Sequence, residues 1–288
     1  MRPVCRVCPH HCRLEEGALG LCRARKNVSG KIQSENYGRI TGLALDPIEK
    51  KPLHRFYPGS SILSVGSYGC NLKCPFCQNH EISMCGEKEV FWERMSPEEL
   101  AGQALEYASD AAHIRGAGQS RGAAGNLGVA FTYNEPCIGY EYVMDTARLV
   151  RRAGMKNVLV TNGCVELWVL DELLPYIDAM NIDLKGFTKE FYRKLGGDLE
   201  TVKRFIVKAV AACHVELTTL IVPGENDGSQ LRELIDWVAA LDRNIPMHFS
   251  RFFPCFRMYD KEPTPVSQVY ETVELAKKQL RYVYPGNC

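Results

Sequence analysis

The stretch Gly69-Cys70-Asn71-Leu72-Lys73-Cys74-Pro75-Phe76-Cys77-Gln78-Asn79 carries three thiols within eight residues, spaced C-x3-C-x2-C. It follows the apolar, β-branched run Ile62-Leu63-Ser64-Val65, so the thiols ride on a loop delivered by a strand. Three thiolates are one short of the four that close a structural zinc site. They suffice for three irons of a [4Fe-4S] cluster and leave the fourth iron open to another ligand.

A small molecule with an amine and a carboxylate suits that open iron. S-adenosylmethionine (SAM) offers both groups and is a source of radical chemistry. With Phe76 as the aromatic of C-x3-C-x-aromatic-C, the triplet resembles the signature of the radical SAM superfamily. The flanking text, Gly66-Ser67-Tyr68-Gly69 before it and Gln78-Asn79-His80 after it, is similar to relatives of pyruvate formate-lyase activating enzyme. More narrowly it resembles the radical SAM member of the AmmeMemoRadiSam system. The resemblance implies a [4Fe-4S] cluster on Cys70, Cys74 and Cys77 that reductively cleaves SAM to methionine and a 5′-deoxyadenosyl radical. The radical then abstracts hydrogen from a substrate, a protein if the likeness to glycyl-radical activases holds. It also implies a low-potential electron donor and, from the narrower family's name, Memo-like and AMMECR-type partners.

Composition excludes several other classes. A formal net charge of +1 offers no basic field for nucleic acid. No run of about 18 apolar residues forms a membrane span, and Met1-Arg2-Pro3-Val4-Cys5 lacks the apolar run of a secretory signal. The expected location is the cytoplasm, whose reducing conditions make thirteen clustered cysteines metal ligands rather than disulfides.

A second thiol group comes first in the chain: Cys5, Cys8, Cys12 and Cys22, as C-x2-C-x3-C-x9-C. Gly17 and Gly20 give the turns that fold this arm back on itself. Four thiolates close a zinc site or hold an auxiliary iron–sulfur cluster, and the spacing leaves both open; His10 or His11 could replace one thiolate. The block from Cys5 to Arg25 is also similar to the amino-terminal block of the same family. The chain is expected to divide into a Cys-rich extension over residues 1–60 and a core over 61–288, with Lys50 and Lys51 on a solvated face.

Beyond residue 61, β-branched runs alternate with helical periodicity. Strands are expected at 62–65, 128–132, 157–161, 179–183, 215–222 and 247–253, with helices between and after them. Such alternation makes a parallel sheet with right-handed crossovers. Six units fall short of the eight of a closed barrel, so the expected fold is α/β, a partial (β/α)6 TIM-like barrel, which the resemblance also implies. Residues 109–127, rich in Gly and Ala, are expected to be a mobile surface loop.

In parallel sheets ligands sit beyond the carboxyl ends of the strands. Those ends carry Thr132-Tyr133-Asn134-Glu135-Pro136, Thr161-Asn162-Gly163 and Asp183-Leu184-Lys185. On the SAM reading, Asn134 and Glu135 or their main chain take the ammonium, in a stretch that resembles the superfamily's Gly-Gly-Glu-Pro with Tyr133-Asn134 in place of the glycines. Lys185 neutralises a carboxylate or charge near the cluster, and Asp183 accepts from ribose hydroxyls or binds a cation. Phe76 contacts adenine, and the main chain at Gln78 reads its edge. Thr161 and Asp183 also match the monovalent-cation pattern of glycyl-radical activases, with Asn162 beside them, but Val160 stands where those carry an acid. Two rivals remain: a non-catalytic iron–sulfur or zinc scaffold, and a zinc-dependent barrel enzyme, which lacks the usual His-rich ligand set.

Overall fold

The computed structural model describes residues 2–115 and 124–288. Its amino-terminal arm holds a short hairpin, β1 (Arg25–Val28) with β2 (Lys31–Ser34), followed by β3 (Arg39–Ile40) and β4 (Gly42–Pro47). β5 (Ser60–Gly66) leads into the cysteine loop and the single turn α1 (His80–Ser83). β6 (Glu93–Arg94) pairs with β3.

From there the expected alternation runs: α2 (Pro97–Arg115), β7 (Ala124–Phe131), α3 (Tyr140–Arg152), β8 (Lys156–Thr161), α4 (Leu167–Leu173) and β9 (Ala179–Asp183). Then come α5 (Lys189–Lys194), α6 (Leu199–Val210), β10 (His214–Ile221), α7 (Ser229–Leu241), β11 (Met247–Arg251), α8 (Val266–Lys277) and β12 (Val283–Gly286). α2 opens on the reciprocal capping box of its sequence: the Glu99 N–H donates to Ser96 Oγ at 3.2 Å and the Ser96 N–H to Glu99 Oε2 at 2.6 Å.

One eight-stranded sheet runs β12-β11-β10-β9-β8-β7-β5-β4. Six of its strands are those expected. β12 adds a seventh parallel strand, and β4 closes the other edge antiparallel to β5. That pairing crosses residue 60, so the extension and the core share a sheet. The sheet curls into an open partial barrel with helices outside, and no helix among the described residues is long and apolar enough to cross a membrane. The loop expected over 109–127 is shorter than the sequence implies. α2 continues to Arg115 and β7 begins at Ala124; the rest of that stretch lies outside the described residues.

Side chains alternate across strands, and the inward row includes Ala179, Asn181 and Asp183. Ile48 and Leu53, fully buried, pack among Ile62, Ala130, Val158 and Ala179 at the amino-terminal end of the barrel. The segment between β4 and β5 thus forms a floor. Asn181 Nδ2 donates to Pro52 O at 2.8 Å. Below it Glu216 accepts from the N–H groups of His54 (3.0 Å) and Arg55 (2.7 Å), and pairs with His214 (3.0 Å) and His248 (2.6 Å).

Candidate active site

Above the floor lies a cavity of about 350 Å³ at the carboxyl ends of the parallel strands. Cys70, Cys74 and Cys77 line it, and so do Phe76, Gln78, Asn134, Glu135, Thr161, Asn162, Asp183 and Lys185. The structure therefore brings together every residue the sequence pointed to for cluster and cofactor. Cys5, Cys8, Cys12 and Cys22 do not line it.

The cysteine loop is shaped by its neighbours. Gly69 sits at φ +86°, and a Cβ there would stand 2.4 Å from Cys22 O, so backbone conformation and close approach both demand glycine. Asn134 Nδ2 donates to Tyr68 O and Gly69 O, each at 3.1 Å, while its Oδ1 accepts from the Ser67 N–H at 3.0 Å. Asn162 Nδ2 reaches Cys70 Sγ at 3.6 Å and Asn71 Oδ1 at 3.0 Å. Asn71 in turn donates to Cys164 O at 2.6 Å. Asn71 was missed from sequence; its place inside the cysteine loop was the only signal.

Glu135 is 2% exposed, and its carboxylate is already engaged. Oε1 accepts from the Cys137 N–H at 3.0 Å and Thr161 Oγ1 at 2.7 Å, and Oε2 from the Asn162 N–H at 2.7 Å. Burial pushes its pKa up, against the pull of those hydrogen bonds. Glu135 and Thr161 thus tie the ends of β7 and β8 together beneath Cys70. Their side chains serve the loop first, rather than standing free for a ligand.

Asp183 and Lys185 form an ion pair at 2.6 Å. Burial works to lower the Lys185 pKa, but the charges of Asp183 and Cys74 outweigh it and leave it raised. Lys185 is thus a fixed cation facing the thiols. Phe76 is buried and stacked parallel to Phe191, with centroids 6.3 Å apart. Val160 lines the cavity without charge.

Lys50 is exposed, as expected of it, but Lys51 departs from the solvated face. Lys50 lines the cavity mouth. Lys51 is only 3% exposed, with Nζ 2.7 Å from Asp46 Oδ2 and 5.2 Å from the Tyr133 ring centroid. Tyr133 takes φ +72°, a left-handed conformation that explains why glycine suits the equivalent place in Gly-Gly-Glu-Pro.

The donor set fits a cluster. All three thiols are free, and burial raises the pKa of each, that of Cys74 to about 12, so as thiolates they call for a bound cation. The Leu72 N–H donates to Cys70 Sγ at 3.3 Å, and the Asn79 N–H and Ser83 hydroxyl to Cys77. Among the described residues no three Cys, His, Asp or Glu side chains converge on a single ion. A cluster needs no such convergence, because each iron takes its own thiolate.

Comparison with known proteins agrees with this geometry. The sequence profile of the Radical SAM superfamily matches residues 64–238. The chain is 40% identical over 295 residues to an uncharacterised protein of Methanocaldococcus jannaschii, covering 98% of this chain and 80% of that protein. It is 29% identical over 167 residues to the pyruvate formate-lyase 1-activating enzyme of Escherichia coli K12, covering 55% of this chain and 60% of that enzyme. Among solved structures, Streptococcus suis SuiB bound to its precursor peptide SuiA shares the fold: TM-score 0.57, 14% identity, 83% of this chain and 51% of that one. These relatives set aside the non-catalytic scaffold reading. The run of strand-end residues around a three-thiol loop is that of an enzyme, and the chain belongs to the radical SAM superfamily.

Proposed function

We propose that the cavity binds SAM against a [4Fe-4S] cluster held by Cys70, Cys74 and Cys77, and that the enzyme acts on a protein substrate. The observation that carries this is the single cavity in which the three free thiols meet the fixed Lys185–Asp183 pair. When bound, cluster and SAM supply an electron and a 5′-deoxyadenosyl radical for hydrogen abstraction.

The chain's own residues hold and orient. Asn162 and the Leu72 N–H donate to Cys70, which favours its thiolate form. Lys185 offsets negative charge beside Cys74 and Cys77. Asp183 holds Lys185 in place and presents an acceptor to ribose hydroxyls. Phe76, braced by Phe191, offers an apolar wall for adenine, and the main chain at Gln78 lies beside it. With Glu135 engaged, the methionine ammonium is left to main-chain carbonyls of that turn.

A protein substrate is supported by the relationship to an activating enzyme whose name gives another enzyme as its target. On this reading the partners are a low-potential electron donor, the substrate protein, and the Memo-like and AMMECR-type proteins that the narrower resemblance implies. The setting is the cytoplasm, where thiols stay reduced. The test is anaerobic incubation with dithionite and SAM. Wild type yields 5′-deoxyadenosine and Cys74→Ala does not. Intact SAM with fully iron-loaded wild type overturns the proposal.

A further inference from the structure

The amino-terminal thiols lie outside the cavity, yet they are gathered in the same manner as the triplet. Cys5, Cys8 and Cys22 are 5%, 6% and 5% exposed. A Cβ on Gly20 would stand 3.7 Å from both Cys12 Sγ and Cys22 Sγ, so these two sulfurs flank one glycine. The Cys5 N–H donates to Cys12 O at 2.9 Å, closing the first turn. Cys8 has Cys22, Cys5 and Cys12 as charged neighbours, and Cys22 has Cys5 and Cys12.

The hydrogen bonds to sulfur repeat across the two groups. In the triplet, the N–H two residues on donates to the thiol: Leu72 to Cys70 and Asn79 to Cys77. In the arm, the His10 N–H donates to Cys8 and the Ala24 N–H to Cys22, joined by the Arg25 N–H. Peptide N–H groups turned onto sulfur favour thiolate, the form that ligates metal.

A buried cation stands beside this group. Arg25 is 5% exposed and holds Glu141 through Nη1 at 2.6 Å, with Cys5 among its charged neighbours. Its Nε is buried with no hydrogen-bond partner among the described residues. An unpaired donor in such a place is costly; beside four thiolates on a metal, whose summed charge is negative, it is favourable. The arm is also held by burial of Val7 and Leu14 and by hydrogen bonds from the Glu166 N–H to Val7 O at 2.9 Å and from Trp168 Nε1 to Arg6 O at 2.8 Å. Before β1 its pairing is confined to isolated bridges, Val4 with Arg13 and Leu19 with Lys26.

We propose that Cys5, Cys8, Cys12 and Cys22 hold a thiolate-ligated metal centre of their own. Its chemistry is four thiolates on iron–sulfur or on zinc. Among the described residues the four sulfurs, like the triplet, do not converge on one ion as placed, and either metal would draw them together on binding. The centre abuts the catalytic loop. His10 Nε2 lies 2.8 Å from Asn71 O, and Cys22 O is the atom that excludes a side chain at Gly69. It therefore props the loop that carries the triplet.

The test does not depend on SAM chemistry. The Cys70→Ala/Cys74→Ala/Cys77→Ala protein, purified anaerobically, is assayed for zinc, iron and acid-labile sulfide. Roughly one zinc, or about four irons with matching sulfide, supports the centre and identifies it. Adding Cys8→Ser and Cys22→Ser should remove that metal. Neither metal in a folded triple variant overturns the proposal. Should the triple variant fail to fold, Cys8→Ser alone in the otherwise wild-type chain gives the answer: metal content falls by the arm's share while the triplet's iron remains. Metal content equal to wild type overturns it.

Discussion

The Tyr133 hydroxyl donates to Asp46 Oδ2 at 2.8 Å, joining the strand end after β7 to the strand that edges the sheet. The same carboxylate takes Lys51 Nζ at 2.7 Å. Burial works against ionisation of Asp46, but Lys51 and Tyr133 outweigh it and hold its pKa at about 2. One acid thus anchors both a buried ammonium and a phenol whose backbone is strained. Tyr133→Phe should cost about 1 kcal/mol, the worth of one hydrogen bond. Asp46→Asn should cost about 3 kcal/mol, because it strands a buried lysine. Urea unfolding of the two variants checks the order; equal losses would show that Lys51 finds another partner.

Glu216 makes the floor sensitive to acid. Burial opposes its charge, but His214, His248 and the N–H groups of His54 and Arg55 lower its pKa from 4.5 to about 2. A depressed carboxyl pKa contributes stability that is full above the unfolded value and lost as pH falls through the folded one. The window is therefore 4.5 down to about 2. Its size is about 3 kcal/mol at roughly 1.4 kcal/mol per unit. Glu216→Gln should lose that amount at pH 7 and show a flatter stability profile below pH 4.5 than wild type. Parallel profiles of variant and wild type through that window would remove Glu216 from the account.

Lys185→Ala should weaken SAM binding by about 1–3 kcal/mol, the range of a charge-assisted contact, and leave iron content unchanged. Anaerobic equilibrium dialysis with labelled SAM reads the first quantity and metal analysis the second. Unaltered affinity would mean that Lys185 serves Asp183 alone.

Glu135→Gln replaces an acceptor of three hydrogen bonds by a group with one acceptor oxygen and two donors of its own. Expected are a loss of about 1–3 kcal/mol of stability and poorer iron loading, since Asn162 would no longer be fixed against Cys70. Thermal unfolding and iron per chain check it. Full iron loading with normal stability would show that the β7–β8 tie is dispensable.

Elements whose sequence repeats a local rule were legible. β9 runs from Ala179 to Asp183 as its β-branched and apolar pattern predicts, and Ser96 and Glu99 cap α2 as their spacing requires. β12 was not, because Val283-Tyr284-Pro285-Gly286 lacks strand periodicity and is ordered by its neighbour β11. The Gly- and Ala-rich text after residue 109 reads as a loop, yet α2 holds through Arg115, over a segment whose Ala111 and Ala112 are strong helix formers. Strand-end position found the cavity-lining residues. It did not show that Glu135, Asn134 and Asn162 spend their polar groups on one another's loops, since those partners lie up to 92 residues apart. Lys51 failed for the same reason: a Lys-Lys pair reads as solvated until Asp46 and Tyr133 fold over it.

The floor beneath the cavity also orders events in time. Residues 48–55 are made early, but His54 is latched by Glu216, 162 positions later. On a ribosome, a chain shorter than that has the three thiols of its loop above a floor that Glu216 has not yet latched. Asn162, Asp183 and Lys185 also emerge well after Cys77. The thiols are thus synthesised long before the pocket that shelters them, so the nascent chain passes through an interval in which oxygen and stray metals have free access to its most reactive side chains.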